Sequence, residues 1–202
     1  NNLTPFATHV YVCVHGDTAD NRAGRLGVDS VLHSSGIEFS KKLKEWADRL
    51  RHGGTMHVWC PPTRAGMQTA QPFVANKKKY HVQVWRALMD MNYGDFKGKT
   101  YFEVRENHPD IWEALQNDEY FFQWPGGESP SQLVQRLDPI LNAMESKTAP
   151  ILVIGSRTVC RALLSYCRDL LPEQFIQIRL PKNSIFDIDM NAEPVKVTMH
   201  HL

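Results

Sequence analysis

The sequence is poor in the features that mark metal-bound, membrane-bound and nucleic-acid-binding proteins. Only four of the 202 residues are cysteines, and no two of them form the C-x-x-C pair of a zinc site. No apolar run is long enough to cross a bilayer, and no signal-peptide pattern opens the chain. The 23 basic and 22 acidic residues leave a net charge of +1, so neither sign dominates. We therefore expect no metal, no membrane and no nucleic acid among its partners.

What is present is typical of an ordinary globular domain. Hydrophobic residues make up 42% of the chain and aromatic residues 10%, which is enough to bury a substantial core. No repeat, linker or low-complexity tract divides the sequence, so one domain is expected over residues 1–202. Three cysteines lie in apolar patterns, which indicates buried, reduced thiols and a cytoplasmic location. The chain begins with Asn rather than Met, which suggests a domain taken from a longer protein.

The apolar pattern alternates between strands and helices. Buried parallel strands are predicted at four short apolar runs, which are His9–Val14, Met56–Cys60, 81–85 and Ile151–Gly155. Helices are predicted at about 34–50, 64–75, 129–145 with a bend at Pro139, and 158–171. Two alternating runs at 184–190 and 195–200 predict a terminal hairpin. The pattern predicts an α/β fold of three layers, a mostly parallel sheet flanked by helices, with segment 86–127 as a helical and loop insertion over one end of the sheet.

His15 follows directly after the first predicted strand. Open α/β folds bind their ligands at this carboxyl edge of the sheet. The next residue, Gly16, has no side chain and is expected to let the backbone approach a phosphate closely. His15 is therefore the best nucleophile candidate among the nine histidines. The alternative for such a histidine is a packed or surface residue without chemistry.

Several motifs follow His15 in order. They are Asn21, Gly24-Arg25-Leu26-Gly27, Thr63-Arg64 with Gln68-Thr69-Ala70, Thr100-Tyr101, Asn107-His108-Pro109, Pro125-Gly126-Gly127-Glu128-Ser129 with Leu133-Val134-Gln135-Arg136-Leu137, and Arg161 six residues after Gly155. This set resembles the histidine phosphatase superfamily, which includes the cofactor-dependent phosphoglycerate mutases. More closely, it is similar to the bisphosphatase half of the bifunctional 6-phosphofructo-2-kinase/fructose-2,6-bisphosphatase family. The opening Asn2-Leu3-Thr4-Pro5 is similar to the stretch that joins the two halves, so residues 1–8 are expected to be a linker remnant.

The resemblance implies a two-step hydrolysis of fructose 2,6-bisphosphate without a cofactor. A histidine takes the phosphoryl group, and water then hydrolyses the phosphohistidine. On this scheme His15 is the nucleophile, and Asp90 is the acid that protonates the leaving oxygen. The resemblance also implies five binding residues: Asn21, Gly27 and Arg64 for the phosphate, and Tyr101 and Arg161 for the rest of the substrate. Arg157 is a further substrate-binding candidate that departs from the family pattern. On the residues alone, each of these side chains has a purely structural alternative.

Other positions depart from the family pattern beside the nucleophile. Val14 stands where the family has arginine, and Ser156 stands where it has a second histidine. Valine supplies neither charge nor a donor, and the serine hydroxyl is shorter than an imidazole and cannot carry the positive charge that a transferring phosphoryl group needs. Asp90 replaces a glutamate and is one methylene shorter, a misplacement of roughly 1 Å that can cost about a hundredfold in rate. Arg157 replaces a glutamine, and its guanidinium is the one candidate for compensation.

The sugar-phosphate end of the site departs as well. Gln116 aligns with an arginine of the family, Pro130 replaces a substrate-binding tyrosine, and acids at Asp118-Glu119 lie near the position of a lysine. Carboxylates in a bisphosphate pocket repel the ligand. Two hypotheses therefore remain: a pseudo-phosphatase with a regulatory or structural role beside a kinase domain in the same chain, and a slow phosphatase that uses His15. A phosphatase or mutase for another phosphoester is a weaker third.

Overall fold

The computed structural model describes residues 9–50 and 54–202, and a mixed six-stranded sheet forms the centre of this part. Its strands are β1 (His9–Val14), β2 (Met56–Cys60), β3 (Tyr80–Val84), β4 (Ile151–Gly155), β5 (Ser184–Asp189) and β6 (Lys196–His201). The order across the sheet is β3-β2-β4-β1-β5-β6. The first four strands in that order are parallel neighbours, whereas β5 and β6 each pair in antiparallel fashion. The predicted α/β fold with a mostly parallel sheet is confirmed, and the expected linker remnant at residues 1–8 lies outside the described residues.

Helices cover both faces of the sheet. They are α1 (Ala19–Arg22), α2 (Ser34–Arg49), α3 (Arg64–Ala70), α4 (Tyr101–Asn107), α5 (Pro109–Asn117), α6 (Pro130–Arg136), α7 (Asp138–Glu145), α8 (Arg157–Cys167) and α9 (Pro172–Phe175). Single 3₁₀ turns lie at Gln71–Phe73, Arg86–Leu88 and Gly94–Phe96. In the part of the chain that the structure describes, no helix combines the length and apolar character needed to cross a membrane.

Proline explains where the structure differs from the predicted helix at 129–145. The predicted capping box is present, because the Ser129 hydroxyl accepts the Gln132 N–H and the Gln132 side chain accepts the Ser129 N–H. The helix does not continue with a bend, however. It ends at Arg136, and α7 begins at Asp138, because Pro139 has no N–H to continue the hydrogen-bond ladder.

Two other helices are shorter than predicted. The helix predicted at 64–75 ends at Ala70, and the chain continues as a 3₁₀ turn that contains Pro72. The helix predicted at 158–171 begins one residue earlier, at Arg157, and ends at Cys167. Asp169 follows with a φ of 49°, a left-handed conformation that a helix cannot include.

The sheet separates two hydrophobic cores. Residues alternate along β1, so that Val10 and Val12 face the larger core and Tyr11 and Cys13 face the smaller one. Helices α2 and α3 cover the smaller core, whereas α5 to α8 and the segment 86–127 pack on the larger one. The insertion therefore shares one core with the sheet. All four cysteines are buried and unpaired, as the apolar patterns predict for three of them.

Candidate active site

A cavity of about 1280 Å³ opens at the carboxyl ends of β1 and β4. Parallel strands bring their carboxyl ends to one edge of a sheet, which is why the residues after these two strands meet there. Val14 and His15 come from the end of β1, and Ser156 follows β4. The insertion with α4 and α5, the start of α8, and segment 176–183 supply the other walls.

His15 is held in a defined orientation at the floor of this cavity. Its backbone N–H donates to the Gly155 carbonyl at 2.9 Å, which ties the residue to the end of β4. Its Nδ1 lies 2.9 Å from the carbonyl oxygen of Gly16. Because a carbonyl only accepts hydrogen bonds, Nδ1 is the donor in this contact, and Nε2 is the ring nitrogen left for a phosphoryl group. A neutral imidazole with a free Nε2 has the form that a phosphoryl acceptor requires.

Gly16 lacks a side chain for a different reason from the one that the sequence indicates. A Cβ at this residue would lie 2.6 Å from the carbonyl oxygen of Gly36 in α2, so the space expected for a phosphate is filled by backbone. The Gly16 N–H donates to the Thr69 hydroxyl at 2.9 Å. Helices α2 and α3 therefore fix the loop that carries His15.

Asp90 lines the cavity on the insertion side and is half-buried. Its Oδ1 accepts the Met91 N–H at 2.8 Å. Burial raises the pKa of this carboxyl, and the opposing effects of the Ser156 hydroxyl, the Met91 N–H, His15 and Arg136 are smaller. Asp90 therefore holds its proton to a higher pH than an ordinary aspartate, as a general acid must.

The two neighbours of His15 that lack charge both have structural contacts. Val14 is half-buried and packs against the larger core. Ser156 is buried and caps α8, with its hydroxyl accepting the Val159 N–H at 3.3 Å. At both of these positions the chain thus presents a neutral side chain.

Two arginines of α8 line the cavity, but their guanidinium groups donate hydrogen bonds to backbone carbonyls. Arg157 donates from Nη1 to the Leu180 carbonyl at 2.6 Å, and Arg161 donates from Nε to the Ile178 carbonyl at 3.1 Å. Burial and the nearby Arg161 lower the pKa of Arg157. The guanidinium that the sequence offers as compensation is therefore engaged with the segment that precedes β5.

An ion-pair network lies beside His15 at the cavity wall. The Asp17 carboxylate accepts from Arg22 Nε at 3.1 Å and from Lys182 Nζ at 3.2 Å. All three residues line the cavity. Two more of its cations thus share a single protein carboxylate.

The far end of the cavity is aromatic and contains an acid. Tyr101, Gln116, Glu119 and the buried Tyr93 all line it. Burial and the Glu119 carboxylate raise the pKa of Tyr101 to about 12, while Arg161 opposes them. The neighbouring Asp118 is exposed and is not among the lining residues, so Glu119 is the member of the acidic pair that faces a ligand.

Most of the residues that the sequence singles out line this cavity, whereas Arg64 and Pro130, like Asp118, do not. Asn21 and Gly27 lie in its wall, where a Cβ on Gly27 would meet the Tyr93 ring at 2.8 Å. Arg64 is exposed at the start of α3, outside the lining, and its backbone N–H donates to Asp29 Oδ1 at 2.8 Å. Pro130 is buried in the first turn of α6, also outside the lining.

Sequence reasoning missed several lining residues, among them Glu128 and Arg136. Both lie inside motifs that carry the family resemblance, which was the available signal, yet neither had been given a role. Asp17 stands two residues after His15 and was missed in the same way. Among the described residues, no three His, Cys, Asp or Glu side chains are grouped so that they hold a metal ion.

Comparisons with known proteins show the family of the chain. The model of the histidine phosphatase superfamily (branch 1) matches residues 10–201. The chain is 35% identical over 202 residues to a 6-phosphofructo-2-kinase/fructose-2,6-bisphosphatase of Arabidopsis thaliana, covering 100% of this chain and 26% of the relative. It is 27% identical over 197 residues to the fructose-2,6-bisphosphatase of Saccharomyces cerevisiae, covering 98% and 42%.

A solved structure shows the same fold. The putative alpha-ribazole-5'-P phosphatase of Escherichia coli superposes with a TM-score of 0.79 at 20% identity, covering 97% of this chain and 96% of that one. The curated relatives are longer, and this chain spans between 26% and 42% of the two described above. The family model accounts for nearly the whole chain, and His15 lies at the sheet edge where such a fold binds its ligand. The chain belongs to the histidine phosphatase superfamily and is a fructose-2,6-bisphosphatase-like domain.

Proposed function

We propose that this domain binds fructose 2,6-bisphosphate, or a related phosphorylated sugar, in the cavity at His15, and that its phosphatase activity is lost or severely reduced. Its role is then regulatory or structural in fructose 2,6-bisphosphate metabolism. One observation carries the proposal: the side chains that flank His15, Val14 and Ser156, are neutral and are occupied by the core and by a helix cap. Each missing donor costs roughly a hundred- to a thousandfold in rate.

The partners of four cations in the cavity lining support the same conclusion. Arg157 and Arg161 donate to backbone carbonyls, and Arg22 and Lys182 share the Asp17 carboxylate. A phosphoryl group has to displace these partners before it gains the charge. Preorganised donors stabilise a transition state because they need no such rearrangement.

Glu119, the acid at the far end of the cavity, affects how strongly a bisphosphate binds. Glu119 faces the cavity near Tyr101, where a bisphosphate places its second phosphate in this interpretation. Two anions in one partly enclosed site repel each other. We therefore expect weaker binding of a bisphosphate than in a site with a cation there, and relatively better binding of a ligand with one phosphate.

The relatives suggest the setting of the domain. The Arabidopsis relative is named as a kinase and a bisphosphatase, and this chain matches a part of it. We propose that a kinase domain lies in the same full-length chain here. We also propose a cytoplasmic location, because the four cysteines remain thiols.

A rapid-quench experiment with fructose 2,6-bisphosphate labelled at the 2-phosphate tests the proposal. We expect saturable binding by calorimetry, no label on the protein and no release of inorganic phosphate above the His15→Ala control. Label on the wild-type protein that is acid-labile and alkali-stable, and that His15→Ala abolishes, would contradict the inert site. Absence of binding to both the bisphosphate and inorganic phosphate would contradict the ligand.

A slow phosphatase is the second candidate, and one observation favours it. The Nδ1 contact with the Gly16 carbonyl leaves Nε2 of His15 for a phosphoryl group, and burial raises the pKa of Asp90, which is the direction that a general acid needs. These two features support a nucleophile and an acid in the same cavity. Slow labelling of His15 followed by phosphate release, with Asp90→Asn blocking label transfer, is the outcome that this candidate requires.

A further inference from the structure

One arginine of the cavity lining donates several hydrogen bonds to the segment that contains Asp90. Arg136, the last residue of α6, donates from Nη1 to the Ala87 carbonyl at 2.7 Å. From Nη2 it donates to the Met89 carbonyl at 3.0 Å and to the Asp90 carbonyl at 3.2 Å. A single guanidinium therefore donates hydrogen bonds to three backbone carbonyls at and next to Asp90.

The same guanidinium is fixed from the other side by a carboxylate. Arg136 Nε lies 2.8 Å from Glu128 Oε1, and Nη2 lies 3.2 Å from Oε2. Glu128 Oε2 also accepts the Asn92 N–H at 2.9 Å, and the Glu128 N–H donates to the Asn92 carbonyl at 2.7 Å. The pair thus holds the chain on both sides of Asp90, at residues 87–90 and at Asn92.

The segment between the two attachment points has little regular structure of its own. After the 3₁₀ turn Arg86–Leu88, residues 89–93 form neither helix nor strand. The direction of the Asp90 carboxyl therefore depends on side-chain contacts with the loop. Arg136 and Glu128 are both largely shielded, with exposed side-chain fractions of 27% and 22%, so water competes little for these hydrogen bonds.

We propose that Arg136 is a positioning residue, which together with Glu128 holds Asp90 toward His15 and keeps its carboxyl in the shielded environment that the acid needs. The planar fork of an arginine reaches a carboxylate and three carbonyls at once, whereas the point charge of a lysine does not. The inference rests on the proposed site at His15 and Asp90, and it concerns the geometry of that site rather than its rate.

Arg136→Lys is the informative change, because it keeps the positive charge and loses the fork. We expect the pKa of Asp90, followed by carbon-13 NMR and assigned with Asp90→Asn, to fall toward the ordinary aspartate value as the segment opens to water. We also expect amide exchange at Met91 and Asn92 to accelerate about tenfold or more, while exchange in β4 stays as in the wild type. Arg105→Lys, at the exposed pair with Glu106, is the matched control and should change neither.

Glu128→Gln provides a second variant if the lysine variant folds poorly. It keeps the shape of the side chain and removes the charge that holds Arg136, so exchange at Asn92 should accelerate. An unchanged Asp90 pKa with unchanged exchange at Met91 and Asn92 would overturn the proposal. Equal acceleration throughout β4 would also overturn it, because that indicates only a global loss of stability.

Measurements of turnover distinguish a failure of this inference from a failure of the proposed function. If the wild type turns over slowly, Arg136→Lys should lower that rate about ten- to a hundredfold, which is the scale of a misplacement near 1 Å, and should add nothing in an Asp90→Asn background. Additive losses would contradict positioning through Asp90. If the wild type has no turnover, only the slow-phosphatase candidate fails, and the pKa and exchange still decide the role of Arg136.

Discussion

At the scale of single residues, the neutral side chains beside His15 are also structural residues. Val14 completes the larger core, and Ser156 caps α8. A cation placed at either position gains charge for the site and loses a packing or capping contact. Activity and stability are therefore expected to change in opposite directions at these two positions.

Ser156→His tests this opposition. The imidazole adds a donor beside the phosphoryl site, so turnover of fructose 2,6-bisphosphate should rise by roughly a hundred- to a thousandfold. Loss of the Ser156 cap should lower the free energy of unfolding by about 1 kcal/mol. Phosphate release and chemical denaturation measure the two effects. Ser156→Ala is the control, since it removes the cap and adds no donor; a rise in turnover in both variants would contradict the explanation.

Asp90 is a second residue where function and stability oppose each other. Burial raises its folded pKa above the ordinary value of 3.8, so the folded state binds its proton more tightly than the unfolded state does. Its stabilising contribution is fully present below 3.8 and is lost as the pH rises through the folded pKa. We therefore predict that Asp90→Asn raises the melting temperature at pH 7, and that this gain shrinks as the pH falls toward 3.8. A lower melting temperature at pH 7 would contradict the prediction.

At the scale of elements, a small polar network fastens α2 to β3. Asp48 near the end of α2 accepts hydrogen bonds from Lys44, from the Tyr80 hydroxyl at 2.7 Å and from Lys79 at 3.2 Å. Burial pushes the pKa of Asp48 up, but the bonds from Lys44, Tyr80 and Lys79 outweigh it and hold the pKa at about 2. These hydrogen bonds thereby connect the edge strand β3 to α2, which covers the smaller core.

The network predicts a specific dependence of stability on pH. The folded pKa of Asp48 is depressed, so its contribution is present above 3.8 and is lost as the pH falls from 3.8 toward 2. Because the Asp48 side chain is 43% exposed, we expect Asp48→Asn to lower the unfolding free energy by only about 1 kcal/mol or less at pH 7, and to have a progressively smaller effect as the pH falls toward 2. Glu38→Gln, at an exposed pair with Lys42, is the control. Equal effects of the two substitutions would contradict the network.

A second contact between elements fixes the nucleophile loop. A Cβ on Gly36 would lie 2.4 Å from the Asp17 carbonyl oxygen, so Gly36→Ala forces α2 and the loop apart. We expect a loss of about 1–3 kcal/mol in stability, the range for overpacking, and weaker binding of inorganic phosphate because His15 moves with the loop. Ile37→Ala, at an exposed neighbour, should change neither. Unchanged phosphate affinity in Gly36→Ala would show that the contact does not position His15.

At the scale of the whole molecule, the insertion and the sheet are one folding unit. Trp124 is buried against the rings of Tyr93, Phe96 and Phe122, and all belong to or pack on the core that contains β1 and β4. We predict that Trp124→Ala lowers the unfolding free energy by about 3–5 kcal/mol. The transitions followed by far-ultraviolet and near-ultraviolet circular dichroism should still coincide. Separate transitions would show that the insertion unfolds independently of the sheet.

Local patterns in the chain were enough to predict most of the fold. Buried parallel strands consist of continuous apolar runs, so β1, β2 and β4 have the same limits in the sequence and in the structure. The Ser129 box marked the start of α6 because capping depends on residues only three positions apart. The prolines at 72 and 139 shortened or split the predicted helices, and their effect on length was harder to judge from pattern alone.

The candidate site was predicted in part. The position of His15 follows from its place directly after β1, since the carboxyl ends of parallel strands converge. The roles of Arg136 and Glu128 did not follow, because the other partners of Arg136 are backbone carbonyls that lie 46 to 49 positions away. A backbone carbonyl has the same chemistry at every residue, so no pattern of side chains reveals which one lacks a partner.

By itself, then, the sequence determined the order of the strands and helices, the residue at the sheet edge and the neutral character of its two neighbours. Only the tertiary structure decided which oxygen atoms the arginine side chains contact. It turned Arg157 and Arg161 toward the carbonyls before β5, and it fixed Arg136 on the segment of Asp90. Long, flexible cationic side chains donate hydrogen bonds to acceptor oxygens within their reach. Which oxygens are within reach depends on how distant segments of the chain pack together.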